Sequence, residues 1–197
     1  MQSRSRRSVR LGRVPVREDR VAGFAGSRHG RIDEELSSAL LSGLSRHGFR
    51  FLVGCATGID CCLRKAAAGS ELAKRFTVHC AFPLRIRESE ALGLNAVCRV
   101  SGGASASAAL HWRTVLMVRE CSLLVLFPDD PKTGCWGKGS RLAFNTAIQC
   151  HIPVFVVTTI PPLGTRQFRI EAGSLFGIIA GHWVVPQGVE VRDDRPA

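Results

Sequence analysis

A chain of 197 residues, 45% hydrophobic and 22% charged, is long and apolar enough to bury one substantial core, and nothing in it argues for two. No apolar run reaches the roughly 20 residues of a membrane span, and the start is arginine-rich rather than apolar, so a soluble cytoplasmic protein without a secretory signal is expected. The formal charge of +11 is uneven: residues 1–20 hold seven Arg against Glu18 and Asp19, a net +5.

Such a Ser/Arg segment buries too little apolar surface to order itself. Residues 1–20 are therefore expected to be a disordered basic tail, 21–187 the folded domain and 188–197 a polar tail. The basic tail is suited to nonspecific contact with phosphate backbones, to targeting, or to neither.

In chain order, VAGFAGSR (21–28) reads as an apolar strand ending in Gly26-Ser27-Arg28. Asp33 then caps an amphipathic helix closed by Gly48. Residues 51–68, FLVGCATGIDCCLRKAAA, read as a buried strand, a small-residue turn with Gly54 and Gly58, and a helix from 59 to 69. Thr57 is the expected N-cap, with Asp60 completing a capping box. VHCAF (78–82) is a third strand, and 83–110 reads as a long irregular insertion, either a lid over the site or a surface excursion. A helix is expected from about Ala108 to Cys121, and SLLVLFP (122–128) as a fourth strand. A loop from Asp129 through Gly137-Lys138-Gly139-Ser140 precedes the helix SRLAFNTAIQCH. PVFVVT (153–158) is a fifth strand, IPPLGTRQ a loop, and FGIIAGHWVVP (176–186) a helix or strand at a sheet edge.

Strands alternating with helices predict an α/β fold: a Rossmann-like, doubly wound, mostly parallel sheet of five to seven strands with helices on both faces. Glycine turns that hand strands to helices leave backbone N–H groups free where the helix dipole favours negative charge. Three of them opening on one carboxyl edge would make an anion site. Arg28 is the side chain best placed to pair with a phosphate, with Arg113 and Lys138 next. Trp136 reads equally as a base-stacking ring and as a plug over the core. Asp60 reads as a cap or as a partner that orients Arg28, and Asp129-Asp130 as a solvated turn more than a metal-phosphate holder. The eight cysteines lack zinc spacing and read as buried small hydrophobes, except Cys55 and Cys135, which fall in candidate ligand loops.

A strand ending in Gly-Ser-Arg and a second ending in G-x-x-x-G-I-D resemble the superfamily of DNA-processing protein A (DprA) and the Lonely-Guy (LOG) phosphoribohydrolases, the SLOG domains. The stretch HWRTVLMVRECSLLVLFPDD with GKGSRLAFNTAIQCHIPVFVV is similar to the small standalone YspA/YpsA-like members. The resemblance covers roughly residues 21–158. It implies a nucleotide-binding domain whose site uses Gly26, Ser27 and Arg28, then Gly54, Gly58 and Asp60, then Gly139 and Ser140.

There are departures. LOG enzymes carry a catalytic glutamate in P-G-G-x-G-T-x-x-E, and the loop here, G-K-G-S-R-L-A-F (137–144), contains no acid. DprA places an Arg before G-I-D where this chain has Thr57, and DprA's additional DNA-binding module is not expected within these 197 residues. The expected function is therefore binding of a nucleotide or nucleotide-derived ligand as a sensor or accessory protein, with no assigned catalytic or metal-ligating residue and no certain cofactor. The alternatives are DprA-like binding of single-stranded DNA and a LOG-like nucleotide hydrolase with a non-standard acid. The candidate ligand residues are Gly26, Ser27, Arg28, Gly54, Thr57, Gly58, Asp60, Arg113, Gly137, Lys138, Gly139 and Ser140. Expected partners are a nucleotide-like small molecule and nucleic acid held nonspecifically by the tail, with no membrane and with a homo-oligomer left open.

Overall fold

A computed structural model describes residues 20–100, 103, 105–133, 135–164 and 166–188. The two tails lie outside these residues, apart from Arg20 and Gly188. Arg20 donates from Nη1 to the His47 carbonyl at 3.0 Å and lies 5.9 Å over the Phe49 ring.

The chain runs β1 (Val21–Gly26), α1 (Glu34–Arg46), β2 (Arg50–Gly54), α2 (Ile59–Ala67), a 3-10 turn (Glu71–Arg75), β3 (Phe76–His79), α3 (Leu84–Glu90) and β4 (Asn95–Val97). It continues with α4 (Ala106–Arg119), β5 (Leu123–Phe127), α5 (Lys138–Gln149), β6 (Val154–Val156), β7 (Phe168–Leu175) and β8 (Ile179–Pro186). These strands form one sheet of eight in the order β4-β3-β2-β1-β5-β6-β8-β7. The first six are parallel, and β8 joins antiparallel to both β6 and β7. The sheet thus exceeds the five to seven strands expected from sequence.

The excess has two sources. The stretch 83–110 is not an irregular insertion but supplies α3 and β4, elements of seven and three residues that are too short to show a period. The stretch 168–175, assigned to no element from sequence, supplies β7, which is the true edge, while 176–186, expected as a helix or strand at a sheet edge, holds β8 inside the sheet.

Both faces of the parallel core are covered, so its strands read as continuous apolar runs. Ala22 and Phe24 of β1 and Leu123, Val125 and Phe127 of β5 pack with Leu40, Leu41 and Leu44 of α1 and Ile59 and Leu63 of α2. The alternating residues Val21 and Ala25, Leu124 and Leu126 pack with Met117 and Val118 of α4 and Ala143, Phe144 and Ala147 of α5. The chain winds outward from β1 to β4, then returns through α4 to place β5 on the other side of β1. That reversal is the switch point at which open α/β sheets form a crevice beyond their strand ends.

Candidate functional site

β1 and β5 end side by side, with Gly26 opposite Phe127, so the loops 27–33 and 128–137 leave from the two lips of the switch point. A Cβ at Gly26 would stand 2.8 Å from Ile59 Cγ1 and 3.0 Å from Phe127 Cβ, which makes that glycine a packing requirement. Ser27 is buried, and its Oγ accepts the N–H groups of His29 (3.1 Å) and Gly30 (3.0 Å). Ser27 therefore shapes the turn. Arg28 is exposed, and its side chain has no partner among the described residues.

The second turn is tied to the first. Ile59 N–H donates to the Ser27 carbonyl at 3.2 Å, and Thr57 Oγ1 donates to the Arg28 carbonyl at 3.2 Å. Thr57 is thus a brace between turns and not the expected N-cap. The cap is Gly58, at φ 68°, where a Cβ would stand 2.2 Å from the Ser27 carbonyl oxygen. Only glycine tolerates both conditions. Asp60 caps nothing in the expected way either: its Oδ2 accepts from Ala56 N–H at 3.3 Å and lies 3.6 Å from Arg113 Nη1, far in role from orienting Arg28.

Arg113 points inward. It is 7% exposed and its guanidinium fills the space beside Gly54, where a Cβ would stand 1.5 Å from Nη1 and 2.3 Å from Asp60 Oδ2. Arg64 Nη1 donates to the Gly54 carbonyl at 2.6 Å. Burial pushes the Asp60 carboxyl up, and Arg113 and Arg64 draw it back. Behind this pair lies His79, 3% exposed, with Nε2 at 3.6 Å from Glu120 Oε2, while Arg99 holds the other oxygen of Glu120. Burial, with Arg99 and Arg113 adding to it, lowers the His79 pKa to about 4, so the ring is neutral near pH 7. His79 Nε2 and Arg113 Nε are buried without a hydrogen-bond partner.

The third turn differs. α1 begins with its own acids, Asp33 accepting from Leu36 N–H at 2.7 Å and Glu34 and Glu35 following, and α2 carries Asp60 in its first turn. α5 has neither a side-chain cap nor an acid in its first turn. Its N-cap is Gly137, and Arg141 is the first residue whose N–H reaches a helical acceptor, the Gly137 carbonyl at 3.0 Å. The N–H groups of Lys138, Gly139 and Ser140 find no acceptor among the described residues. Lys138, Gly139 and Arg141 are exposed, Ser140 is buried, and no atom lies within 4 Å of a Cβ built at Gly139. One acid stands nearby: Asp129 Oδ2 is 2.5 Å from where a Gly137 Cβ would be.

Other candidates resolve on geometry. Trp136 packs edge-on to Phe144 at 4.7 Å, and Phe144 packs likewise on Phe168, so the indole plugs the core. Asp130 closes its own turn by accepting from Lys132 N–H (2.9 Å) and Thr133 Oγ1 (2.7 Å), and the Thr133 contact lowers its pKa. No group of three metal-ligating side chains occurs among the described residues. Cys55, Cys80 and Cys121 are buried, Cys61, Cys62 and Cys98 half-buried, and Cys150, read as buried, is exposed at the end of α5. An open concavity of about 390 Å³ lies at the opposite edge, where Val21 and Arg50 begin β1 and β2, and it contains none of the glycine turns.

The fold and the switch-point turns define a Rossmann-like α/β domain. No protein-family model matches the chain, and no curated protein matches it in sequence. In structure it is similar to DNA processing protein A from Helicobacter pylori, described for its single-stranded DNA binding mode, at TM-score 0.54 and 14% identity over 78% of this chain and 72% of that one. It is also similar to DprA from Streptococcus pneumoniae, at TM-score 0.53 and 15% identity over 76% of this chain. It spans 52% of the pneumococcal protein. No helix among the described residues is long and apolar enough to cross a membrane.

Proposed function

We propose that this protein binds single-stranded nucleic acid across the carboxyl edge of its sheet, seating a phosphate on the uncapped N-terminus of α5. The observation that supports it is the contrast between the starts of α1 and α5: α1 is capped by Asp33 and followed by Glu34 and Glu35, whereas α5 offers free N–H groups beside exposed Lys138 and Arg141, next to the loop that carries Arg28. Backbone donors and the helix dipole act together on an anion placed there. The H. pylori neighbour's binding mode makes a single strand the leading occupant. A SLOG-type nucleotide ligand, as in the YspA-like members, is the second reading, because a single helix start suits one phosphate as well as a chain of them. Hydrolysis of that nucleotide ranks below both, since the α5 start lacks the LOG glutamate.

Gly139→Glu tests the site without disturbing the fold, because the position is open. Fluorescence anisotropy with labelled single- and double-stranded oligonucleotides, and calorimetry with a mononucleotide panel, are the measurements. Loss of single-strand affinity by roughly tenfold or more, about 1.4 kcal/mol, is expected. Binding of a mononucleotide alone would favour the second reading. If the wild type binds neither below millimolar concentration, both fall.

A further inference from the structure

Cys55 and Cys80 are the residues that follow β2 and β3, and the register of these parallel strands, Gly54 opposite His79, brings the two thiols level. Both side chains belong to the same apolar cluster, on the same face of the sheet. Neighbouring strands lie about 4.8 Å apart, inside the roughly 4.4–6.8 Å between Cα atoms that a disulfide spans. Ala81 N–H donates to Cys55 Sγ at 3.4 Å, and Cys80 Sγ donates to the Val78 carbonyl at 3.9 Å. Both are free in this structure.

From this juxtaposition we infer that Cys55 and Cys80 form an oxidisable dithiol, in which Cys55 reacts with a small peroxide and Cys80 resolves the product as an intramolecular disulfide. Cys55 is the attacking sulfur. The adjacent Cys80 thiol, with help from Ala81 N–H and the Arg113 charge, lowers its pKa to about 6 against the opposing effect of burial, while the Cys80 thiol is pushed up by its neighbour and by burial. The thiolate is the nucleophile in such chemistry, and a neighbouring thiol resolves it. In the first step the Cys55 thiolate forms an S–O bond as the peroxide O–O bond breaks and hydroxide leaves, giving a sulfenic acid. In the second, Cys80 Sγ forms the S–S bond as the S–O bond breaks. The departing hydroxyl takes the Cys80 proton and leaves as water. In all, two thiols lose two electrons and two protons, and one peroxide becomes two waters. The linkage would fasten the end of β2, where the second glycine turn begins, to the end of β3. It stands independently of what the site binds.

The test is peptide-mapping mass spectrometry of the full chain after treatment with one equivalent of hydrogen peroxide, with free thiols alkylated under denaturing conditions. Alkylation of untreated protein should mark all eight cysteines, and the oxidised form should show a Cys55–Cys80 linked peptide that lacks two hydrogens and disappears on reduction. In Cys80→Ser, a dimedone-type reagent should trap Cys55 as the sulfenic acid, and in Cys55→Ser neither product should form. The wild-type measurement alone decides the matter if a variant fails to fold. Oxidation confined to the exposed Cys135 and Cys150, or a Cys80–Cys98 linkage in place of Cys55–Cys80, overturns the inference.

Discussion

At Gly54 a hydrogen atom is all that separates the backbone of β2 from the buried Asp60–Arg113 pair. Gly54→Ala must push the guanidinium off its carboxylate, and breaking a buried pair costs about 3–5 kcal/mol. Chemical denaturation should show a loss of that order, whereas Gly139→Ala, with open space around its Cβ, should change stability by less than about 1 kcal/mol and in the favourable direction. Equal effects at the two glycines would contradict the packing described. His79 yields a second prediction at this scale. Its pKa falls from 6.5 to about 4 on folding, so between these values the unfolded chain binds the proton and the folded one does not. Stability is therefore lost as pH falls through that window, by at most about 3 kcal/mol from this residue. Replacing the ring with a neutral isostere, as in His79→Gln, should flatten the fall in melting temperature between pH 6.5 and pH 4, and an unchanged slope would show that the acid sensitivity lies elsewhere. The sequence singles out Gly54, Asp60 and Arg113 as candidate ligand groups but does not show that they face one another. Fifty-three positions separate Asp60 from Arg113, and only the packing of α4 behind β2 reveals the pair.

At the scale of elements, the three helix starts look alike in sequence, each a glycine turn after an apolar strand, yet they have different electrostatics. Removing the α1 cap by Asp33→Ala should cost about 1 kcal/mol of stability and leave nucleic-acid affinity within about twofold, since that terminus is already filled by its own acids. Gly139→Glu should do the reverse, raising stability by about 0.3–1 kcal/mol through the dipole while weakening binding. Thermal melts and anisotropy on the same two variants separate these outcomes. If both variants lost affinity equally, the phosphate would not be specific to α5. The long apolar strands β1, β2 and β5 and the helices α1, α2 and α5 were legible because burial on both faces and amphipathic spacing leave strong patterns. β7 was not. Its sequence, FRIEAGSL, is polar and exposed for most of its length, and it is a strand because β8 offers it a full antiparallel ladder, a condition that no local pattern records. The Thr57 expectation failed for a related reason. Gly58 turns the chain one residue later to let the Ser27 carbonyl reach Ile59 N–H, and that partner lies in a different turn.

Across the whole molecule the charge is unevenly placed. The α5 site is not a broad basic surface, because Arg28, Lys138 and Arg141 share their edge with Asp33, Glu34, Glu35 and Asp129. Residues 1–19, by contrast, carry six Arg against two acids, a net +4 concentrated in one segment. A strand held at the α5 site should therefore gain two distinct contributions, one local and one diffuse. The diffuse one scales with counterion release, at about −0.7 in log affinity per log salt for each phosphate neutralised on a single strand. Deleting residues 1–19, which keeps Arg20 on the His47 carbonyl, should reduce the salt slope by up to about 3. It should also weaken binding most at low salt. What survives at high salt should still prefer single over double strands and should still be lost in Gly139→Glu. Anisotropy titrations of full-length and truncated protein across a salt series give both the slope and the intercept. If truncation abolishes binding at every salt concentration, the tail alone holds the nucleic acid, and the carboxyl edge is left for a small nucleotide.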